Sequence, residues 1–209
     1  MGFLDKLFGK TEEAAVTEET SSVVKIGIII GSVRQERNGE QVAQWTYDFA
    51  TKRNDKGVEY ELVDLAEYKL PLLGAAVAEA DQEEANAAIK AWSEKIASFD
   101  GYVFITPEYN HAIGGALKNA LDYLNPEVNN KAAGFVGYGS LGGARAHENL
   151  RLILGELQVA DVRTALTFSL MSDFENYSVF KPADFHEGNA NGMLDQVIAW
   201  SSALQPLRK

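Results

Sequence analysis

Residues 101–124 read GYVFITPEYNHAIGGALKNALDYL. The run Gly101–Thr106 is apolar and rich in β-formers, as a buried strand requires, and Leu117, Leu121 and Leu124 recur at the spacing of an amphipathic helix. Between them the chain offers a carboxylate (Glu108), a phenol (Tyr109), an amide (Asn110) and exposed backbone. They sit at the carboxyl end of a strand, where open α/β sheets bind their ligands. A plain strand-to-helix turn needs none of these groups.

Working outward, the same strand-then-helix unit recurs. VVKIGIII (23–30) is a continuous β-branched run of the kind buried on both faces of a parallel sheet. Val42, Trp45 and Phe49 mark a helix ending near Lys52. VEYELVDL (58–65) reads as a second strand. A helix over 81–99 carries Ala85, Ile89, Trp92 and Ile96 on one face, with Asp81 as candidate N-cap. KAAGFVGYG (131–139) is the fourth strand, and Leu150, Ile153, Leu154 and Leu157 mark the next helix. VRTALTF (162–168) is the fifth strand, followed by a last helix through Leu194, Val197 and Ile198. Five β-α units joined by right-handed crossovers predict a flavodoxin-like three-layer sandwich: a five-stranded parallel sheet of order 2-1-3-4-5, with helices on both faces.

Residues 1–22 differ in character. Phe3, Leu4, Leu7 and Phe8 fall at helical spacing, and an acidic, polar stretch follows. This predicts an N-terminal tail before a single domain over 23–209, read either as a loosely held appendage or as a docking or membrane-surface segment. Asp5, Lys6 and Lys10 interrupt any signal-peptide core, and Lys6 replaces the Ser or Thr of a myristoylation site.

Composition narrows the chemistry. The chain has 209 residues with 19 Lys and Arg against 30 Asp and Glu, a formal net charge of −11, which disfavours nucleic acid and anionic lipid as partners. No apolar run approaches the roughly 20 residues of a membrane span, so a cytoplasmic protein is expected. With no cysteine, thiolate metal sites and cysteine nucleophiles are excluded, and redox chemistry must come from a cofactor. His147 and His186 have no companions at metal-ligand spacing, so no metal site is predicted. Trp45 and Trp92 read as core.

Three loops meet at the switch point of such a sheet. GSVRQERNG (31–39) combines a turn glycine, the Ser32 hydroxyl, Arg34, Arg37 and a helix N-terminus, which together suit one phosphate. The alternative is a solvated turn whose arginines pair with Glu36 or Glu40. Val33 and Glu36 stand where a dinucleotide fingerprint needs its second and third glycines, and no Walker lysine is present. Asp64 ends the second strand, where a ribose-binding acid would sit. In the second loop, Gly114 and Gly115 would permit close backbone approach, and Tyr109 can pack near a flat heterocycle. The third, GYGSLGGARA (137–146), offers main chain as the opposite wall.

These three loops, in this order and on these strands, resemble the NAD(P)H-dependent FMN reductase family, a flavodoxin-like group that includes chromate, quinone and azo-dye reductases. The likeness spans roughly residues 24–205, and Pro-Glu-Tyr-Asn followed by Leu-Lys-Asn-Ala-Leu-Asp is its specific signal. It implies that Ser32, Arg34, Arg37 and Asn38 hold the phosphate of FMN. Pro107, Glu108, Tyr109 and Asn110 would then line the isoalloxazine, with Gly139, Ser140 and Gly142 flanking it. NAD(P)H would be the donor and a small molecule the acceptor, in ping-pong fashion, with no catalytic side chain required. The likeness further implies a homodimer or homotetramer. Three departures stand out: an acid at Glu36 inside the phosphate loop, Gly114 where the family often has proline, and the N-terminal tail. A flavodoxin-type electron carrier or a flavin-free interaction module using the tail are the competing classes.

Overall fold

In a computed structural model describing residues 23–208, the chain folds as an α/β sandwich whose main sheet is parallel throughout. The tail expected over 1–22 lies outside the described residues. In chain order the strands and helices are β1 (Val24–Ile30), α1 (Gly39–Lys52), β2 (Val58–Asp64), α2 (Gln82–Ala97) and β3 (Gly101–Pro107). They continue as α3 (Gly115–Asp122), β4 (Lys131–Gly139), α4 (Ala144–Glu156), β5 (Val159–Asp161) and β6 (Leu166–Ser169). A small hairpin, β7 (Phe174–Glu175) and β8 (Val179–Phe180), precedes α5 (His186–Leu204). The strand order is β2-β1-β3-β4-β5, the flavodoxin-like order, with β6 also pairing β4.

Period-two alternation within buried strands builds both cores. Along β1, Ile26, Ile28 and Ile30 point to one face and Ile29 to the other. On β3, Val103 and Ile105 share the first face, while Tyr102 and Phe104 take the second. Helices α1 and α5 cover the first through Val42, Ala43, Met193, Leu194 and Val197. Helices α2, α3 and α4 cover the second through Trp92, Ile96, Leu117, Leu121 and Leu150. Trp92 is fully buried, and its indole N–H donates to Ala120 O at 2.9 Å, tying α2 to α3. Trp45 is only half-buried, stacked on Phe49 and edge-on to Phe168.

Two sequence expectations need correction. The fifth strand is not one run over 162–168. Val159–Asp161 pairs the start of β4 and Leu166–Ser169 its end, with a detour between them. In the detour, Val162 N–H still donates to Ala133 O on β4 at 2.8 Å, but other backbone groups bond to side chains. Arg151 donates to Val162 O and Arg163 O, and Thr164 N–H donates to Gln196 on α5. The predicted helix 81–99 runs from Gln82 to Ala97. Asp81 occupies the N-cap position, but its side chain makes no capping hydrogen bond, because Glu79–Asp81 already turns as a 3-10 segment.

Candidate functional site

The first loop leaves β1 with Gly31 N–H donating to Ile105 O at 2.8 Å, which seats it over β3. Ser32 is buried, and its hydroxyl accepts from Arg34 N–H at 3.4 Å. The two arginines then part company. Arg37 turns back beneath the loop, where its guanidinium binds Ser32 O, Asp64 and, at 2.9 Å, Glu40. Its side chain is only 6% exposed, so it braces the loop against β2. The pairing with Glu40 foreseen for a solvated turn thus holds for Arg37. Arg34 is exposed and makes no ion pair among the described residues. Asp64 is committed to Arg37 and to Ala66 N–H, leaving no free acid there for a ribose. Glu36 is exposed with left-handed backbone (φ 52°). Asn38 occupies the N-cap position of α1 without making a side-chain cap. Its amide instead donates to Tyr177 O at 2.8 Å.

The second loop is a tight hairpin. Tyr109 and Ala112 exchange both backbone hydrogen bonds at 3.0 Å, and Asn110 (φ 50°) and His111 (φ 68°) between them are both left-handed, as a type I′ turn requires. The turn leaves Tyr109 at the rim. Glu108 points the other way. Its carboxylate accepts from Arg145 N–H at 3.0 Å and pairs with the Arg145 guanidinium, capping α4. Burial would raise the Glu108 pKa, but Arg145 and the N–H groups of Arg145 and Ala146 outweigh it and hold the acid below its usual range. Arg145 also meets His111 Nε2 at 2.7 Å. The expected close approach at Gly114 and Gly115 does not occur within the chain. A Cβ on Gly115 would meet nothing, and one on Gly114 would meet only the Tyr109 ring at ordinary distance.

The third loop needs its glycines. Gly142 (φ 71°) and Gly143 (φ 82°) are left-handed, and a Cβ on Gly143 would lie 2.8 Å from Gly137 Cα and Tyr138 N. Ser140 is exposed on the rim, its carbonyl accepting from the Ser169 hydroxyl.

Together the loops enclose a cleft of about 300 Å³ at the carboxyl ends of β1, β3 and β4. Arg34, Glu36, Arg37 and Asn38 form one side, and Pro107, Glu108 and Tyr109 the other. Ser32 lies beneath, while Asn110, Ser140 and Gly142 stay outside the lining. Residues not anticipated from the sequence complete the walls: Tyr138, and Leu170, Tyr177 and Ser178 around the β7–β8 hairpin. Sequence patterning had little to offer there, since the hairpin strands are two residues each and β4 is buried on both faces. A hollow of about 510 Å³ lies at the opposite end of the sheet, but its charged groups are already engaged. Arg208 pairs with Asp100, and Lys131 donates to Ile96 O and Ala97 O at the end of α2. Burial, with Arg208 adding to it, pushes the Lys131 pKa down to about 8.

A parallel sheet of this order, with a cleft at its switch point bounded by Arg34 and by Asn38 at the start of α1, defines a flavodoxin-like mononucleotide-binding class. The chain belongs to the NADPH-dependent FMN reductase family, whose model matches residues 24–172, and is by that membership a flavin oxidoreductase. An NAD(P)H-dependent FMN reductase of a Nectria species is 35% identical, covering 72% of this chain and 79% of the relative. A quinone reductase of Escherichia coli is 30% identical over 64% of this chain and 71% of its own length. In fold, the chain is similar to FerB, a flavoenzyme NAD(P)H:(acceptor) oxidoreductase of Paracoccus denitrificans. The TM-score is 0.65 at 20% identity, covering 87% of this chain and 98% of that one.

The donor set fits FMN. At one end stand the Ser32 hydroxyl, the unpaired Arg34 guanidinium and an α1 N-terminus without a side-chain cap, a combination suited to one phosphate. At the other end stand Tyr109 and the backbone of two loops, a combination suited to a flat ring. Among the described residues no cluster of three or more His, Asp or Glu is arranged to hold a metal, and no helix is long and apolar enough to cross a membrane.

Proposed function

We propose that this protein is an NAD(P)H-dependent FMN oxidoreductase that passes electrons to small acceptors, such as quinones, azo compounds, metal oxyanions or free flavin, in two half-reactions at one open cleft. Bound FMN would supply the hydride and electron chemistry, and the chain supplies position and electrostatics. Ser32, Arg34 and the start of α1 hold the phosphate, while Arg37 and Asn38 hold the loop and the wall that shape its site. Pro107 and Tyr109 line the ring, and Asn110 forms the turn that carries Tyr109. Glu108 sets the height of that loop by tying it to α4. Gly139, Ser140 and Gly142 present main chain on the far side. Donor and acceptor would use the same open face in turn, which makes ping-pong kinetics the expectation. We further propose a cytoplasmic homodimer or homotetramer with a core domain from residue 23, on the strength of the family resemblance.

The convergence of unpaired phosphate donors and a ring-facing backbone wall at the switch point carries this reading. Its test is spectroscopic. The purified protein should bind FMN more tightly than FAD, and its flavin absorbance should bleach anaerobically with NAD(P)H and recover on adding a quinone. Tighter FAD binding, or a flavin that NAD(P)H does not reduce, would refute it; the latter result would favour a flavodoxin-type carrier.

A further inference from the structure

We propose that the phenol of Tyr138 is a phosphate ligand, donating a hydrogen bond to the FMN phosphate from the floor of the cleft. The proposal rests on the FMN reading above and adds a donor to the four residues that the resemblance assigned to the phosphate.

Tyr138 stands near the end of β4, in register with Pro107 on β3 and Phe168 on β6. The residue is 6% exposed and lines the cleft, yet its hydroxyl has no hydrogen-bond partner among the described residues. Ser32 is near enough to influence it without completing a bond. An unpartnered buried hydroxyl is destabilising, so its retention calls for a reason. Its position supplies one. A Cβ on Gly39, the first residue of α1, would lie 2.6 Å from the Tyr138 hydroxyl oxygen. The bare glycine therefore lets the phenol reach the helix N-terminus, where unpaired N–H groups and the dipole attract an anion.

The neighbouring groups agree with this role. Burial first, then Tyr109, raises the Tyr138 pKa; Ser32, Arg37 and Arg34 oppose them but do not prevail. The phenol thus stays protonated at neutral pH and can donate. The donor count also calls for it. Of the four residues that the resemblance assigned to the phosphate, the Arg37 guanidinium is engaged by Asp64, Glu40 and Ser32 O, and the Asn38 amide by Tyr177 O. A phosphate dianion offers many acceptor sites, and a neutral phenol satisfies one of them without crowding another cation beside Arg34 and Arg37.

Tyr138→Phe removes the oxygen alone. The variant should bind FMN about 10- to 100-fold more weakly, the range for one hydrogen bond to a charged group, and should bind riboflavin as the wild type does. Inorganic phosphate, which should raise the melting temperature of the flavin-free wild-type protein, should need a correspondingly higher concentration in the variant. Without ligand the variant should be at least as stable as wild type, since an unsatisfied hydroxyl has been removed. A structural role would give the opposite result, a lower melting temperature with FMN and riboflavin weakened alike. That outcome, or an unchanged FMN affinity, would overturn the assignment while leaving the FMN reading intact. A wild-type protein that binds neither FMN nor phosphate would overturn both.

Discussion

Arg34 and Arg37 stand three positions apart on one loop, and their surroundings give them different tasks. Arg34 is exposed and free to meet an anion; Arg37 is buried under the loop against Asp64. Arg34→Ala should therefore weaken FMN by roughly 10- to 100-fold and leave both riboflavin affinity and melting temperature nearly unchanged. Arg37→Ala should lower the melting temperature, because Asp64 loses its ion-pair partner while remaining partly buried, and should weaken FMN and riboflavin together. Fluorescence titrations with both flavins, alongside thermal melts, separate the two. Identical behaviour of the two variants would show that the loop does not divide labour in this way.

At the scale of the element, the third loop and the β7–β8 hairpin give position to groups that do no chemistry themselves. Gly143→Ala would force a Cβ into backbone at a left-handed residue, so unfolding in urea should show a loss of at least about 2 kcal/mol. The same change at Gly115, where a Cβ meets nothing and the residue opens α3, should stabilise the flavin-free protein by about 0.5 kcal/mol. The hairpin is pinned inside by Phe180, packed between Phe174 and Phe168, and outside by Asn38 and Gln41. Beneath it, the buried Asp173 accepts from Ser169 N–H and pairs with His186 Nε2 at 2.8 Å. Replacing Asn38 and Gln41 together with Ala should speed amide hydrogen exchange over 174–180, leaving the sheet strands protected as before. Unchanged exchange there would mean that the aromatic contacts alone hold the wall.

For the whole molecule, acid sensitivity has an identifiable source. His147 is buried on α4 against Phe135, and burial, reinforced by Arg151, pushes its pKa from 6.5 down to about 4. The unfolded chain therefore takes up this proton at a higher pH than the folded one. Stability should be unaffected by His147 above pH 6.5 and fall progressively toward pH 4, by on the order of 3 kcal/mol in total. His147→Gln should flatten that part of the pH-stability curve; an equally steep fall in the variant would place the sensitivity elsewhere. Among the described residues, those of the cleft lie between positions 32 and 178, so a chain beginning at residue 23 should keep its FMN affinity and NAD(P)H consumption. A large loss of either would assign the first 22 residues a part in the site.

The parallel sheet, its strand order and the helices between its strands were legible in the sequence, whereas the division of the fifth strand and the β7–β8 hairpin were not. Buried strands announce themselves by β-branched runs such as Val23–Ile30, helices by 3.6-residue spacing, and crossover handedness leaves few ways to connect them. The turn chemistry of Pro107–Asn110 and the glycines of 139–143 were equally local. What tertiary structure decided was which polar groups remain free. Arg37 and Asp64 look like ligand residues until the fold brings them together across 27 positions. Asn38 meets Tyr177 across 139 positions, and Glu108 meets Arg145 across 37. Tyr138 reads as one more apolar strand residue until Gly39 is set against its hydroxyl. Periodicity records which face of an element is buried, but hydrogen-bond satisfaction depends on what lies opposite, and only long-range packing sets that.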